Sequence, residues 1–412
     1  MIKEIKNGVC APQGFYANGI HCGIRKNKSK KDLALIYSPK KCSAAAIYTQ
    51  NKVKGAPIAV TKQHLVDGYA QAMLCNSGNA NTCNADGEFI ANAMSKLCAD
   101  ALHIQEEDII IASTGVIGQP LPLLPFETHM EQLVKGLNEN GSFDAVSAIM
   151  TTDTFQKEYA VSFDLDGIEC KMGGIAKGSG MIHPNMATML CFVTSDVAIT
   201  PSLLKKALKE IGDDTFNMIS VDGDTSTNDM LSIMCNGMAN NSLIKEEGEA
   251  YESFKKALYQ VCEALAKMLA QDGEGATKLL TCKVCHARSK KDAKAVAKSI
   301  ITSSLFKAAM FGNDANWGRI LCAIGYADAE YDVEKVDVTL ASEKGSLAVC
   351  ENGRGVKSAN NESGIDEKKA LQILKEKEVE ILVDLKDGND YACAWGCDLT
   401  YDYVKINGDY RT

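Results

Sequence analysis

Thr188 closes a stretch whose chemistry can be read before its shape. The segment runs Gly173-Gly174-Ile175-Ala176-Lys177-Gly178-Ser179-Gly180-Met181-Ile182-His183-Pro184-Asn185-Met186-Ala187-Thr188 and passes into an apolar run that ends at Val193. Four glycines in its first eight residues open positive φ and close packing to the backbone. A chain needs that freedom if one of its own peptide bonds is to bend into reach of a neighbouring hydroxyl, and Thr188 is the hydroxyl at hand. A neutral hydroxyl is a weak nucleophile, but a cut ahead of Thr188 would free an α-amine beside it as a general base. That amine has a reference pKa of about 7.7–8.0, so an appreciable neutral fraction exists near neutral pH. The branched Cβ also limits χ1 and helps to aim Oγ. On composition alone the plainer reading is a β-branched residue in a buried strand.

Other groups could act beside it. Asp108-Ile109-Ile110-Ile111-Ala112-Ser113 predicts a buried strand that stops at Thr114-Gly115, where a hydroxyl and backbone N–H groups can face a reacting atom. Glu274 lies just beyond the helix stop Asp272-Gly273, in a loop rich in glycine. His183 is read as a loop histidine rather than a base, because Pro184 follows it directly. Cys282-Lys283-Val284-Cys285-His286 is the one local pattern that could hold zinc, with Cys393 and Cys397 as a second pair. Against it, Leu279 to Val284 reads as a strand and the pairs lie too far apart for usual finger spacing. Gly178-Ser179-Gly180 lacks the later glycine of a dinucleotide fingerprint, and Lys177-Gly178-Ser179 reverses the order of a phosphate loop, so no nucleotide site is expected.

The segment Lys177 to Leu190 resembles the self-cleavage and nucleophile segment of the ornithine acetyltransferases, also called glutamate N-acetyltransferases, of arginine biosynthesis. Asn76-Ser77-Gly78-Asn79-Ala80-Asn81, Ser113-Thr114-Gly115-Val116-Ile117-Gly118, Thr151-Thr152-Asp153-Thr154 and Gly312-Asn313-Asp314-Ala315-Asn316-Trp317-Gly318-Arg319 resemble further blocks of that family in its order. Ordered blocks are far more specific than one motif. The resemblance implies a cut between Ala187 and Thr188, dividing the chain into residues 1–187 and 188–412, with Thr188 carrying the acetyl group. It also implies an oxyanion hole at Thr114 and Gly115 and substrate contacts at Thr154, Lys177, Thr188, Glu274, Asn407 and the terminal Thr412. Lys177 would meet a substrate carboxylate and Glu274 an α-ammonium. The implied reaction moves acetyl from N-acetylornithine to glutamate without a metal or bound cofactor, acetyl-coenzyme A entering only as a possible second donor. A heterotetramer of two α and two β fragments in the cytoplasm is implied as well. The rival in another class is a self-processing amidohydrolase or aminopeptidase in which water takes the acyl group, and a non-enzymatic binding protein on the same fold is a more distant one.

The elements that must position these groups follow from pattern. The chain has 412 residues, 46% hydrophobic and 24% charged, so a large core in about two or three domains is expected and disorder is not. A net charge of −9 and a pI near 5.3 exclude a broad basic nucleic-acid surface. The run Lys26, Lys28, Lys30 and Lys31 reads as a solvated loop before the strand Leu33 to Tyr37. Met1 to Lys6 has no apolar core of a signal, and no uncharged apolar run approaches the roughly 20 residues that span a bilayer. The sixteen cysteines are then expected mostly as small buried residues in a reducing cytoplasm.

Short strands are expected over Ala44 to Val60, and a further one over Ala72 to Cys75. Ile90, Met94, Leu97 and Ala101 predict a helix, as do Tyr251, Phe254, Leu258, Val261, Leu265 and Met268. A helix from about Asp292 to Thr302 is expected with Asp292 as cap. Glu380 to Leu385 and Tyr391 to Trp395 suggest a hairpin. The class is therefore α/β or mixed α+β. The family resemblance adds sheets sandwiched by helices in two domains, the ornithine acetyltransferase fold.

Overall fold

A computed structural model describes residues 2–183, 189–356 and 364–408. The chain forms two compact units, residues 1–217 with 224–265, and residues 218–223 with 266–412. This spatial division differs from the chemical one implied at residue 187, because strands from both sides of that bond share the first unit's sheet.

The first unit is built on a nine-stranded sheet. Its strands are β1 (Lys3–Ile5), β2 (Tyr16–Ile20), β3 (Leu33–Tyr48), β4 (Tyr69–Asn79), β5 (Ile109–Val116), β6 (Lys157–Leu165), β7 (Ile168–Lys177) and β8 (Leu190–Ser195). After β9 (Ile219–Ser220), which belongs to the second unit, β10 (Met230–Cys235) completes it. The order is β1-β6-β7-β8-β10-β3-β4-β5, with β2 paired to β3. Every residue of β8 and β10 is buried, as their unbroken apolar runs require of strands covered on both faces.

Alternate side chains feed two separate cores. Ile109 and Ile111 enter one, which holds Ile90, Met94 and Cys98 of α2 (Gly87–Leu102) and Phe126, Met130 and Leu133 of α3 (Leu124–Lys135). Ile110 and Ala112 enter the other, with Ala145, Val146 and Ile149 of α4 (Ser142–Ile149). The sheet is thus sandwiched by helices. One expectation fails here: of the stretch 44–60, residues Ala44 to Tyr48 end the long β3, but Ala56–His64 is a helix, α1. Pro57 in its first turn is preset to helical φ. α5 (Pro201–Asp214) also belongs to this unit, and the boundary with the second falls inside α6 (Glu249–Gln271).

The second unit carries a seven-stranded sheet ordered β14-β13-β12-β15-β11-β16-β9. Here β11 is Leu279–Ala287, β12 Asp337–Ser342, β13 Gly345–Glu351, β14 Arg354–Gly355, β15 Glu378–Asp384 and β16 Asp390–Cys397. The expected hairpin does not form: β11 lies between β15 and β16, parallel to the first and antiparallel to the second. α7 (Lys290–Thr302) packs Val296, Ala297 and Ile300 inward, and its cap is Ser289, whose Oγ accepts from Asp292 N. Asp292 is therefore a first-turn acid, which suits the positive end of the helix dipole. α8 (Ser304–Phe311), α9 (Trp317–Gly325), α10 (Glu367–Leu374) and α11 (Tyr401–Gly408) complete the unit.

The block at 312–319 has a structural use in this unit. Asn313 sits in the left-handed region just past α8, and the buried Lys278 donates to its Oδ1 and to Met310 O, both at 2.6 Å. Cys83 and Cys322 are exposed, Cys285 and Cys393 half-buried, and the other cysteines buried, all of them free thiols.

Candidate active site

Thr114 and Gly115 lie at the end of β5, where Thr114 is paired with Ser77 and Gly115 with Gly78 of β4. The two strands come unusually close there. Gly115 has φ +134°, and a Cβ on it would stand 2.3 Å from the Gly78 carbonyl carbon and 2.5 Å from Asn79 N, so no other residue fits. The neighbouring block at 76–81 ties the turn down. Asn76 Nδ2 donates to Asn79 O at 2.9 Å, Ser113 Oγ to Asn76 Oδ1 at 2.6 Å, and Asn79 Nδ2 to Gln119 O at 3.0 Å. From the far side, Asn228 Nδ2 donates to Ser113 O at 3.0 Å and to Ala80 O at 2.6 Å. The family blocks at 76–81 and 113–118 are therefore one scaffold for one strand end.

Lys177, the last residue of β7, reaches the same place. Its Nζ donates to Thr114 Oγ1 at 3.2 Å, and the side chain is only 6% exposed. Burial pulls its pKa down, and the Asp153 carboxylate partly opposes that. An ammonium has only donors, so Thr114 Oγ1 must accept, which leaves the Thr114 hydroxyl proton to be given elsewhere.

Asp153 explains the block at 151–154. Its Oδ1 accepts from Lys157 Nζ and from Gly178 N, each at 2.7 Å, and its Oδ2 accepts from Thr151 N at 2.8 Å. The Asp153 and Lys157 side chains are both fully buried. Thr152 and Ser179 share a hydroxyl hydrogen bond of 2.6 Å. The glycine-rich loop, with Gly178 at φ +145°, is thus clamped by a buried anion. Burial works to raise the Asp153 pKa, but the charges of Lys157 and Lys177 and the Gly178 N–H outweigh it and hold the carboxyl at about 2. Thr154 follows directly and is exposed.

Beyond the loop, His183 O accepts from Thr225 Oγ1 at 3.0 Å, a backbone role that suits a loop residue. Ala187 and Thr188 lie outside the described residues. The chain resumes at Met189, whose carbonyl accepts from Met230 N at 3.1 Å as β8 enters between β7 and β10. Asp229 stands beside this point. It is 2% exposed, its carboxyl accepts from Met189 N, and its Oδ2 has no partner among the described residues. Burial pushes its pKa well up, against the pull of Lys177. Sequence reasoning missed Asp229 as well as the roles of Asp153 and Lys157. A signal existed only for Asp153, as the acid inside an otherwise threonine-rich block.

In the second unit, Glu274 is 8% exposed in the loop after α6, and its Oε2 accepts from Asn407 Nδ2 of α11 at 2.8 Å. Two of the expected residues are thereby brought together. The loop is held by Thr400 Oγ1 on Gly275 O at 2.7 Å and by Asp398, which accepts from Thr277 N at 2.8 Å and Lys278 N at 3.0 Å. Thr412 lies outside the described residues. In the pattern at 282–286, Cys282 is wholly buried in β11, and Cys285 and His286 converge on Asp384.

The first-unit geometry can stabilise an anion. It places the Thr114 hydroxyl, the backbone of Gly115 and the buried Lys177 at one strand end. Among the described residues no helix is long and apolar enough to cross a membrane.

The sequence model of the ArgJ family matches residues 16–412. The arginine biosynthesis bifunctional protein ArgJ of Caldanaerobacter subterraneus subsp. tengcongensis is 50% identical over 411 residues, which cover 99% of this chain and 100% of that protein. The arginine biosynthesis bifunctional protein ArgJ 1 of Clostridium acetobutylicum is 50% identical over 399 residues, 97% of this chain and 96% of its own. That of Symbiobacterium thermophilum is 47% identical over 410 residues, 99% of both chains. With matches that run from end to end at this identity, and with the blocks at 76–81, 113–118 and 151–154 gathered on one strand end and one loop, the chain belongs to the ArgJ family.

Proposed function

We propose that this chain is a self-processing acyltransferase of arginine biosynthesis that moves an acetyl group from N2-acetyl-L-ornithine to L-glutamate through an ester on Thr188. Thr188 Oγ attacks the acetyl carbon, its proton passes to the Thr188 α-amine, and the C–N bond breaks as that proton is given to the departing ornithine nitrogen. The glutamate amine then attacks the ester, N-acetylglutamate leaves, and Oγ regains its proton. Thr114 and Gly115 hold the oxyanion of each tetrahedral intermediate. Substrate contacts are assigned to Thr154, Lys177, Thr188, Glu274, Asn407 and Thr412, with Lys177 facing a carboxylate and Glu274 an α-ammonium. The observation that carries the reading is the 3.2 Å hydrogen bond from Lys177 to Thr114, because it orients the Thr114 proton away from the lysine.

The proposal includes the cut between Ala187 and Thr188, giving α fragment 1–187 and β fragment 188–412, assembled as two of each in the cytoplasm. Relatives at 50% identity bear the name bifunctional, and the reading extends to acetyl-coenzyme A as a second acetyl donor to glutamate. Release of free thiol on mixing acetyl-coenzyme A with glutamate checks that extension.

Denaturing gels and intact masses test the core of it. The purified protein should give fragments of 187 and 412 − 187 = 225 residues, and Thr188→Ala should stay whole. Incubation with N-acetylornithine alone should add one acetyl mass to the β fragment, and two-substrate rates should give parallel double-reciprocal lines. Acetate formed as fast without glutamate as with it would establish the hydrolase instead.

A further inference from the structure

Cys285, His286 and Asp384 converge at one end of the second unit's sheet: a thiol, an imidazole nitrogen and a carboxylate oxygen all lie within 4.8 Å of one another. Consecutive strand residues normally point to opposite faces. Here the pairing of β11 with β16 slips between Val284 and Ala287, and His286 takes φ +52°, so a bulge gathers two neighbours on one side. Asp384 is the parallel partner of Cys285 at the end of β15.

Backbone bonds hold the three in place. Leu385 N donates to Cys285 O at 3.1 Å, Asp387 N to His286 O at 2.8 Å, and Lys386 N to Asp384 Oδ1 at 2.9 Å. His286 Nδ1 is 2.8 Å from Asp384 Oδ1. The nearby cations are already engaged, Lys386 with Asp337 at 2.7 Å, Lys283 with Glu380 at 2.6 Å and Arg288 with Asp387. The cluster is half-buried at Cys285 and Asp384 and open at His286, so an ion has a path in.

We infer that Cys285, His286 and Asp384 form a surface site for a divalent transition ion of the zinc class, three protein ligands with water in the fourth position. A sulfur and a nitrogen donor disfavour calcium and magnesium, which take oxygen ligands, and match zinc or cobalt. Binding forms a metal–sulfur bond and releases the Cys285 thiol proton to solvent. The site ties the turn after β15 to the bulge of β11 and plays no part in the acetyl transfer proposed above.

The experiment is a cobalt(II) titration of the metal-stripped, full-length protein, followed by the thiolate-to-cobalt charge-transfer absorbance. The expected result is saturation at one equivalent and bleaching by zinc(II). Cys285→Ser should abolish the band, Cys322→Ser, at an exposed thiol elsewhere, should keep it, and His286→Ala should weaken binding at least about tenfold. His286 is exposed, so that variant keeps the test valid should Cys285→Ser not fold. Absence of a saturable band, its persistence in Cys285→Ser, or unchanged affinity in His286→Ala overturns the site.

Discussion

The two units hold their expected functional residues by different physics. In the first, the glycine-rich loop and Lys177 are organised around Asp153 and Lys157, an ion pair wholly withdrawn from water. In the second, Glu274 is held by one amide donor from α11, a helix with no buried residue. A buried charge cannot lose its partner cheaply, whereas a hydrogen bond from an exposed helix can open and close at small cost. The first arrangement fixes a geometry in advance, which suits stabilisation of a transient anion. The second is adjustable, which suits admission and release of an amino acid.

The contrast is broken most directly at Asp153. Asp153→Asn removes the carboxylate that pairs with the fully buried Lys157 and should lower stability by about 3–5 kcal/mol in denaturant unfolding. A loss under about 1 kcal/mol would mean that the pair is not the organiser. The same residue sets an acid limb. Its folded pKa of about 2 lies below the ordinary 3.8, so its contribution is complete above the higher value and is lost as pH falls towards the lower. Asp153→Asn should remove that part of the acid dependence, as read by melting temperature between those pH values.

Thr114→Val comes next. Loss of one oxyanion donor should reduce kcat by about 10²–10³, or roughly 2.7–4 kcal/mol, with KM little changed. Processing must be checked first, since the proposed self-cleavage would pass through its own oxyanion. If processed Thr114→Val turns over normally and only stability falls, by about 0.5–1.5 kcal/mol, the hydroxyl merely ends a strand.

Asn407→Ala probes the second arrangement. It should raise KM for glutamate by at most about 1.5–3 kcal/mol in binding terms and leave the melting temperature in place, because Asn407 sits on an exposed helix. A large stability loss there would erase the contrast. Ser289→Ala supplies the smallest effect, about 1 kcal/mol from the lost cap of α7.

The sequence carried local matters well. The end of β5 at Thr114-Gly115, the amphipathic α2 and α6, and the buried run of β8 each follow from periodicity or composition within a few residues. Partnerships across the chain were not legible. β11 separates β15 from β16 although it precedes them by about a hundred residues, and no local pattern records that insertion. Asp229 stayed hidden for the same reason, being one polar residue before an apolar run until β8 and β10 are laid side by side. The helix α1 was missed because a short β-branched stretch reads as strand, and only the packing of its Pro57, Ile58 and Val60 decides otherwise. His183 and Lys177, six positions apart in the glycine-rich segment, differ in role: one lends a carbonyl, the other an ammonium.

The place of β8 has a consequence for the life of the molecule after the proposed processing. β8 is paired along its length with β7 on one side and β10 on the other, and β10 is paired in turn with β3. A break at the proposed bond between Ala187 and Thr188 would sever the covalent chain and spare those ladders, so two polypeptides would persist as one sheet. Folding of the uncut chain is unimolecular, but after that cut recovery from unfolding would be second-order and would depend on dilution by mass action. The cut particle would then be guarded by the height of its unfolding barrier rather than by reversible equilibrium, each molecule folding from one chain only once.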